Sequence, residues 1–275
     1  SATSNLEAGR TYGIPTMGTA AHSFTLLHDS EEDAFQAQLN TLGVETTLLV
    51  DTYDVEAAIR KAVELTEGRL GAIRLDSGDL PMMARQARDL LDDLGATNTR
   101  ITVTSDLDEW QIAALRGAPV DGFGVGTSLV TGSGHPTCGF VYKLVARSDS
   151  ADREAPMTPV GKKSKGKNTL GGRKFAMRRL GENGRAEAEI IGLGAAPVGD
   201  DNDRNLLVDL VKDGQQVFQG SLEDARTRHR ESLAELPLAA LRISRGDPAI
   251  ETIILDGTGA QTTNPYQAAP RPANL

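Results

Sequence analysis

LGAIRLDSGD, residues 70–79, decides how this chain is read. It is a short apolar run broken only by Arg74, and it stops on an aspartate at a Ser-Gly turn. An unalternating run of that length is a strand buried on both faces. The pattern recurs in TTLLVD (46–51), RITVTSD (100–106) and VDGFGVG (120–126), and IPTMG (14–18) reads as a further strand before them. Helical stretches are predicted between the runs at 31–42, 55–67, 80–94 and 108–117. In the second of these, Val55, Ala58, Ile59, Ala62, Val63 and Leu65 form one apolar stripe. Asp54 and Asp108 stand where N-caps belong. Strands and helices in alternation indicate an α/β fold with a parallel sheet.

The polar residues collect where the strands end: Asp51, Asp76, Asp106 and the glycines around Val125. Both (β/α) barrels and open doubly wound sheets bind ligands at that edge. No nucleotide-binding glycine fingerprint follows any strand, which favours a barrel, but about five strand–helix units are fewer than a closed barrel needs. The expectation is an incomplete, irregular (β/α) barrel over residues 1–147. Beyond it, 148–260 reads as a linker or lid followed by a smaller β-rich region, and 261–275 as a loosely held tail. The β-rich region contains AEAEIIGL (186–193), a hairpin turning at Lys212-Asp213-Gly214, and a helix over 222–236.

With 275 residues, 39% hydrophobic, the chain can bury a large core. A net charge of −9 opposes nucleic-acid binding, which needs a positive face. It leaves a phosphorylated small molecule open as substrate. Neither a membrane-crossing run nor a signal peptide is evident, so a cytoplasmic protein is expected. The lone cysteine, Cys138, reads as a small buried residue, and Trp110 as core. His28, His135 and His229 have no metal-ligand spacing.

Four loops can carry chemistry. In GTAAHS (18–23), His22 sits at a helix start, where amides favour an anion. A neutral imidazole there can attack phosphorus if Asp51 or Asp54 holds its other nitrogen. A structural histidine at a helix start remains the alternative on the hexapeptide alone. In RLDSGD (74–79), Arg74 and Asp76 point to one side of their strand. Together with Ser77 and Gly78 they could grip a ribose diol, or form an ordinary ion pair with Asp79 as a helix cap. Ser105 and Asp106 end another strand, with Asp108 capping the next helix as the structural alternative. GFGVGTSLVTGSG (122–134) offers backbone amides to a phosphate at Gly124, Gly126 and Thr127, and is not a P-loop. The basic run Lys162–Lys167 reads as a solvated loop. As a lid it would present Lys165, Lys167, Arg173 and Lys174.

Taken in order, TSNLEAGRTYGIPTMGTAAHSF (3–24), LLVDTYD, GAIRLDSGDL, SDLDEW and GFGVGTSLVTG resemble nicotinate phosphoribosyltransferases, in their actinobacterial form. The resemblance runs to residue 145 and, more weakly, through GGRK (171–174) to residue 250. It implies a type II phosphoribosyltransferase joining nicotinate to 5-phosphoribosyl 1-diphosphate, coupled to ATP through a phosphohistidine, in NAD biosynthesis. By resemblance, His22 is the phosphorylated histidine and Asp51 its orienting partner. Arg74 and Asp76 lie near ribose and base, Gly126 and Thr127 at the 5′-phosphate, and Thr3, Ser4 and Asn5 near nicotinate. ATP and Mg²⁺ are the implied cofactors, and a homodimer the implied assembly.

Family members carry a segment ahead of TSNLEAG that supplies part of the barrel and contacts to nicotinate. Without it, the chain alone is expected to make little or no nicotinate mononucleotide. Two alternatives stay open: an inactive or regulatory fragment of the same family, and another phosphate-binding (β/α) barrel enzyme, which would want a strand-end lysine.

Overall fold

The computed structural model describes residues 2–163, 169–244 and 246–262. Lys165 and Lys167 of the basic run and most of the expected tail lie outside the described residues. The chain divides into two compact units, one ending at Phe140 and one beginning at Val141.

The first unit is the parallel α/β layer that the apolar runs require. After α1 (Leu6–Tyr12) and α2 (His22–Leu26), it alternates α3 (Glu31–Leu42), β1 (Thr47–Leu49), α4 (Val55–Thr66), β2 (Ala72–Leu75) and α5 (Leu80–Asp93). It continues with β3 (Arg100–Val103), α6 (Glu109–Ala114), β4 (Gly122–Phe123) and α7 (Thr127–Thr131). The four strands pair in chain order, all parallel. No closed barrel forms among the described residues. Leu48, Val50, Ile73, Leu75, Ile101 and Val103 are buried against Phe35, Ile59, Ala62, Ala84 and Leu91 from the helices. Each of these larger side chains contributes about 1.5–3 kcal/mol relative to exposure. Asp54, Asp79 and Asp108 cap α4, α5 and α6.

Three expectations need correction. IPTMG does not form a strand in the sheet. Pro15 has no N–H to give to a ladder, and the segment makes a single bridge, Thr3 with Thr16. Trp110 is 52% exposed, because α6 is only six residues long and buries none of them. Cys138 is exposed as well.

The second unit is mostly β. A five-stranded sheet runs in the order β13 (Gln261–Thr262), β12 (Glu251–Leu255), β8 (Ala186–Leu193), β7 (Lys174–Leu180) and β9 (Arg204–Asn205). β8 alternates as AEAEIIGL predicts, with Ala186, Ala188 and Ile190 buried. Among its described residues, the stretch 148–172, read as loop, contributes one short strand, β6 (Thr158–Pro159), which pairs antiparallel with β5 (Ala146–Arg147) just ahead of it. The hairpin β10 (Val211–Lys212) and β11 (Gln215–Gln216) turns at Asp213-Gly214, both at positive φ. No helix among the described residues is long and apolar enough to cross a membrane.

The last helix, α8 (Leu222–Glu235), starts on a capping box of Ser221 and Asp224 and buries none of its residues. Charge ties it to the sheet instead. Glu235 accepts from Arg204 Nε at 2.7 Å and from Arg178 Nη1 at 3.1 Å, and Arg178 also reaches Glu189 at 2.7 Å. The bond from Arg204 holds the Glu235 carboxyl below its ordinary range, against the upward push of burial and with help from Arg178. A depressed carboxyl stabilises above its unfolded value, about 4.3, and that stability is lost as pH falls through the lower folded value. Glu235→Gln should therefore lower stability at neutral pH by up to about 3 kcal/mol, the low end for a broken buried pair because Arg204 is partly solvated. It should also flatten the acid-side loss of stability, which thermal melts of the whole chain across pH would read.

Candidate functional site

The register of the parallel sheet builds the site. Leu49 pairs with Arg74, Arg74 with Thr102, and Thr102 with Gly122. Two residues further on, the same row carries Asp51, Asp76, Thr104 and Gly124. The ladder persists to that level, with Thr104 N–H donating to Leu75 O at 3.0 Å and Gly124 N–H to Val103 O at 2.9 Å. Side chains two apart on a strand share a face, so Arg74 lies directly below Asp76.

Asp51 is the fixed point, its side chain 2% exposed. Its Oδ2 accepts from the backbone N–H of Asp76 and from the Ser77 hydroxyl, each at 2.8 Å. Its Oδ1 is buried without a hydrogen-bond partner and stands 3.8 Å from Nε2 of His22. Asp76 Oδ2 stands 3.6 Å from the same nitrogen. These are ion-pair distances, too long for hydrogen bonds. Nδ1 of His22 lies 3.1 Å from the Thr52 hydroxyl. His22 opens α2 at its first residue, and Ala21, not the imidazole, occupies the cap position.

Arg74 holds the group together. Its Nη2 pairs with Asp76 Oδ1 at 2.8 Å and its Nε donates to the Thr104 hydroxyl at 2.9 Å. Its Nη1 donates to the Thr19 hydroxyl at 2.7 Å and to Ala20 O at 3.1 Å, in the loop that ends at His22. The Thr104 hydroxyl donates in turn to Asp76 Oδ1. Burial raises the Asp76 carboxyl, yet the Thr104 hydroxyl, Arg74 and the charge of His22 together hold it below its ordinary range. Asp76 is thus an anion at neutral pH.

His22, Asp51, Arg74, Asp76 and Ser77 therefore converge as the sequence suggests. Gly78 makes the turn after them, at φ 84°, where a Cβ would meet the Met83 sulfur at 2.5 Å. Gly124 is required by contact, because its Cβ would come within 2.5 Å of Thr104 Cγ2. Gly126 precedes α7 with open space beside it, and Thr127 is the first residue of that helix. Thr3 and Asn5 serve the start of α1: Asn5 N–H donates to the Thr3 hydroxyl, and Asn5 Oδ1 accepts from Ala8 N–H. Ser4 is exposed. Thr19, Thr52 and Thr104 belong to the cluster without having been singled out from the sequence. Each adjoins or lies within a loop already flagged, and that proximity is the signal that could have found them.

Ser105 and Asp106 follow Thr104 at φ 98° and 44° and point into solvent. Such a backbone costs a non-glycine residue on the order of 1–3 kcal/mol. Ser105→Gly is expected to stabilise the chain by up to about 1 kcal/mol, strain relief less the added chain entropy of glycine. Chemical denaturation checks this, and a loss of stability would show that the serine side chain outweighs the strain.

No protein-family model matches the chain. It is 50% identical over 260 residues to nicotinate phosphoribosyltransferase pncB1 of Mycobacterium tuberculosis, an overlap that takes in 91% of this chain and 56% of that protein. To the nicotinate phosphoribosyltransferase of Bacillus subtilis it is 39% identical over 205 residues, 70% of this chain and 41% of the relative. The chain thus spans about half the length of these curated relatives. Among solved structures it resembles human nicotinic acid phosphoribosyltransferase, with a TM-score of 0.66 and 23% identity over 92% of this chain and 62% of that one. Nicotinate-nucleotide pyrophosphorylase from Pyrococcus furiosus follows at 0.63 and 22%, over 85% and 58%. At those identities the structural likeness speaks to the fold.

Proposed function

The chain belongs to the nicotinate phosphoribosyltransferase family, and from that premise we propose that its parent activity joins nicotinate to 5-phosphoribosyl 1-diphosphate, with His22 as an ATP-phosphorylated histidine. The observation that carries this reading is the packing of one imidazole against two strand-end carboxylates over an arginine. The products are nicotinate mononucleotide and diphosphate, a step in NAD biosynthesis. The resemblance also makes a homodimer the proposed assembly and the cytoplasm its proposed place.

The geometry supports definite roles. Asp51 and Asp76 both face Nε2, which favours the tautomer with the proton there. The lone pair then lies on Nδ1, where the Thr52 hydroxyl occupies it in the resting state. On this reading Nδ1 attacks the γ-phosphorus of ATP, an N–P bond forms, and ADP leaves with the electrons of the broken P–O bond. The proton stays on Nε2, balanced by the carboxylates. In the transfer itself the ring nitrogen of nicotinate bonds to the anomeric carbon as diphosphate departs with its bonding pair. Positive charge grows on the ribose, and the Asp76 anion is the group to stabilise it. Gly126 and Thr127 are proposed to receive the 5′-phosphate on backbone amides; Gly124, whose N–H is spent on Val103 O, contributes only the turn beside them.

Mg²⁺ supplies charge neutralisation to a leaving diphosphate. Among the described residues no group of three or more His, Cys, Asp or Glu could hold a metal ion. The fit is therefore to an ion carried in by substrate phosphates, its common mode of binding.

Incubation with γ-labelled ATP tests the reading. The chain should take up acid-labile, base-stable label, and His22→Ala should take up none. Asp51→Asn keeps an oxygen for Asp76 N–H but turns an amide towards Nε2, favouring the other tautomer. Its labelling rate should fall by on the order of 10²–10⁴, the scale of a misplaced histidine proton. Equal labelling of chain and His22→Ala would remove His22 from the role.

A further inference from the structure

Thr104 touches both halves of the site with different atoms. Its hydroxyl sits between Arg74 and Asp76, accepting from the guanidinium Nε at 2.9 Å and donating to the carboxylate. Its methyl group faces the opposite neighbour in the row, at the spot a Cβ on Gly124 would occupy, 2.5 Å away. The other atoms near that spot, Thr104 Cβ at 3.6 Å and Val103 O at 3.9 Å, are at ordinary contact distance. So the methyl alone excludes a side chain at position 124.

We propose that Thr104 is a positioning residue: its hydroxyl fixes the Arg74–Asp76 pair, and its methyl sets the seat of the glycine loop beside it. The proposal rests on the phosphoribosyl reading of this site only for what the positioned groups bind. A threonine is the smallest side chain that does both jobs at once, since serine lacks the methyl and valine the hydroxyl. It links the carboxylate proposed to face the ribose with the loop proposed to take the 5′-phosphate. Two parts of one ligand would thus be held at a fixed separation by one residue that touches neither.

The two functions separate by mutation. Thr104→Val keeps the shape and the methyl but leaves Arg74 Nε without its acceptor and Asp76 without its hydroxyl donor. Asp76 is faced by His22 from α2, Asp51 from the end of β1, Arg74 from β2 and Thr104 from β3. Against the upward push of burial, the Thr104 hydroxyl and the Arg74 guanidinium are the main groups holding the carboxyl down. Thr104→Ser keeps the hydroxyl and removes the methyl. Gly124→Ala should clash with threonine and fit beside serine.

The experiment combines carboxyl-carbon NMR titration of Asp76 in the ligand-free chain with thermal melts and calorimetric binding of 5-phosphoribosyl 1-diphosphate. Thr104→Val should move the Asp76 midpoint upward, while Thr104→Ser leaves it in place. Gly124→Ala should lower the melting temperature in the parent chain. The Thr104→Ser/Gly124→Ala pair should melt like Thr104→Ser alone, a non-additive rescue. An unmoved midpoint in Thr104→Val, or strictly additive effects of Thr104→Ser and Gly124→Ala, overturns the proposal. If midpoint and rescue behave as stated but no form binds 5-phosphoribosyl 1-diphosphate, the brace stands and the phosphoribosyl reading fails.

Discussion

The guanidinium of Arg74 is the charge around which the first unit's polar residues are arranged. Its side chain is 15% exposed, a place where an unpaired cation would be costly. The cost is met from three directions: Asp76 on its own strand, Thr104 on the next strand, and Thr19 with Ala20 in the loop before α2. The third contact has the widest consequence. It ties the 18–21 segment, which has no sheet of its own, to the ends of β2 and β3. His22 follows that segment directly and is delivered to the two carboxylates by a bond its own side chain does not make.

Everything else in the cluster is a matter of register. A parallel sheet repeats the same face every two residues, so a pairing fixed in the apolar middle of the strands is also fixed at their polar ends. Ile73 against Ile101 and Leu48 against Ile73 settle the pairing by burial. Asp51, Asp76, Thr104 and Gly124 then fall into one row. A slip of one residue would turn that row to the other face and bury the carboxylates among leucines. The hydrophobic core thus specifies the polar edge, and the catalytic candidates inherit their alignment from side chains buried in the core.

That dependence explains what the sequence disclosed. The strands at 46–51, 70–76 and 100–106 and the helices between them follow from unbroken apolar runs, three- and four-residue spacing, and aspartate caps. Asp51 and Asp76 stand out because a carboxylate ending a buried strand has few structural uses. Thr104 and Thr52 do not, since threonine is an ordinary strand former and its role appears only when one strand is laid against the next. Thr19 is hidden for a different reason: its partner, Arg74, is far along the chain. Trp110 and Cys138 mislead because their residue types favour burial, whereas their neighbourhoods are too short to cover them. IPTMG misleads because it is apolar enough for a strand but carries a proline where the ladder needs a donor.

The cluster also has an asymmetry of stiffness. Asp51 is held from behind through Oδ2, and Asp76 through Oδ1, so each presents a single fixed oxygen to the imidazole. His22, by contrast, is 39% exposed, and its one hydrogen bond in the cluster is to the Thr52 hydroxyl. At 3.8 and 3.6 Å, its Nε2 stops roughly half an ångström short of the hydrogen-bond range of both acceptors. A buried carboxylate oxygen without a partner is a standing cost of about 1–3 kcal/mol. A small rotation of the imidazole would remove it, with no need to move either carboxylate. The acceptors are the rigid part of this site and the histidine the adjustable one. That division suits the phosphate-accepting role proposed for His22, in which its charge and partner change while the groups around it stay where the sheet has put them.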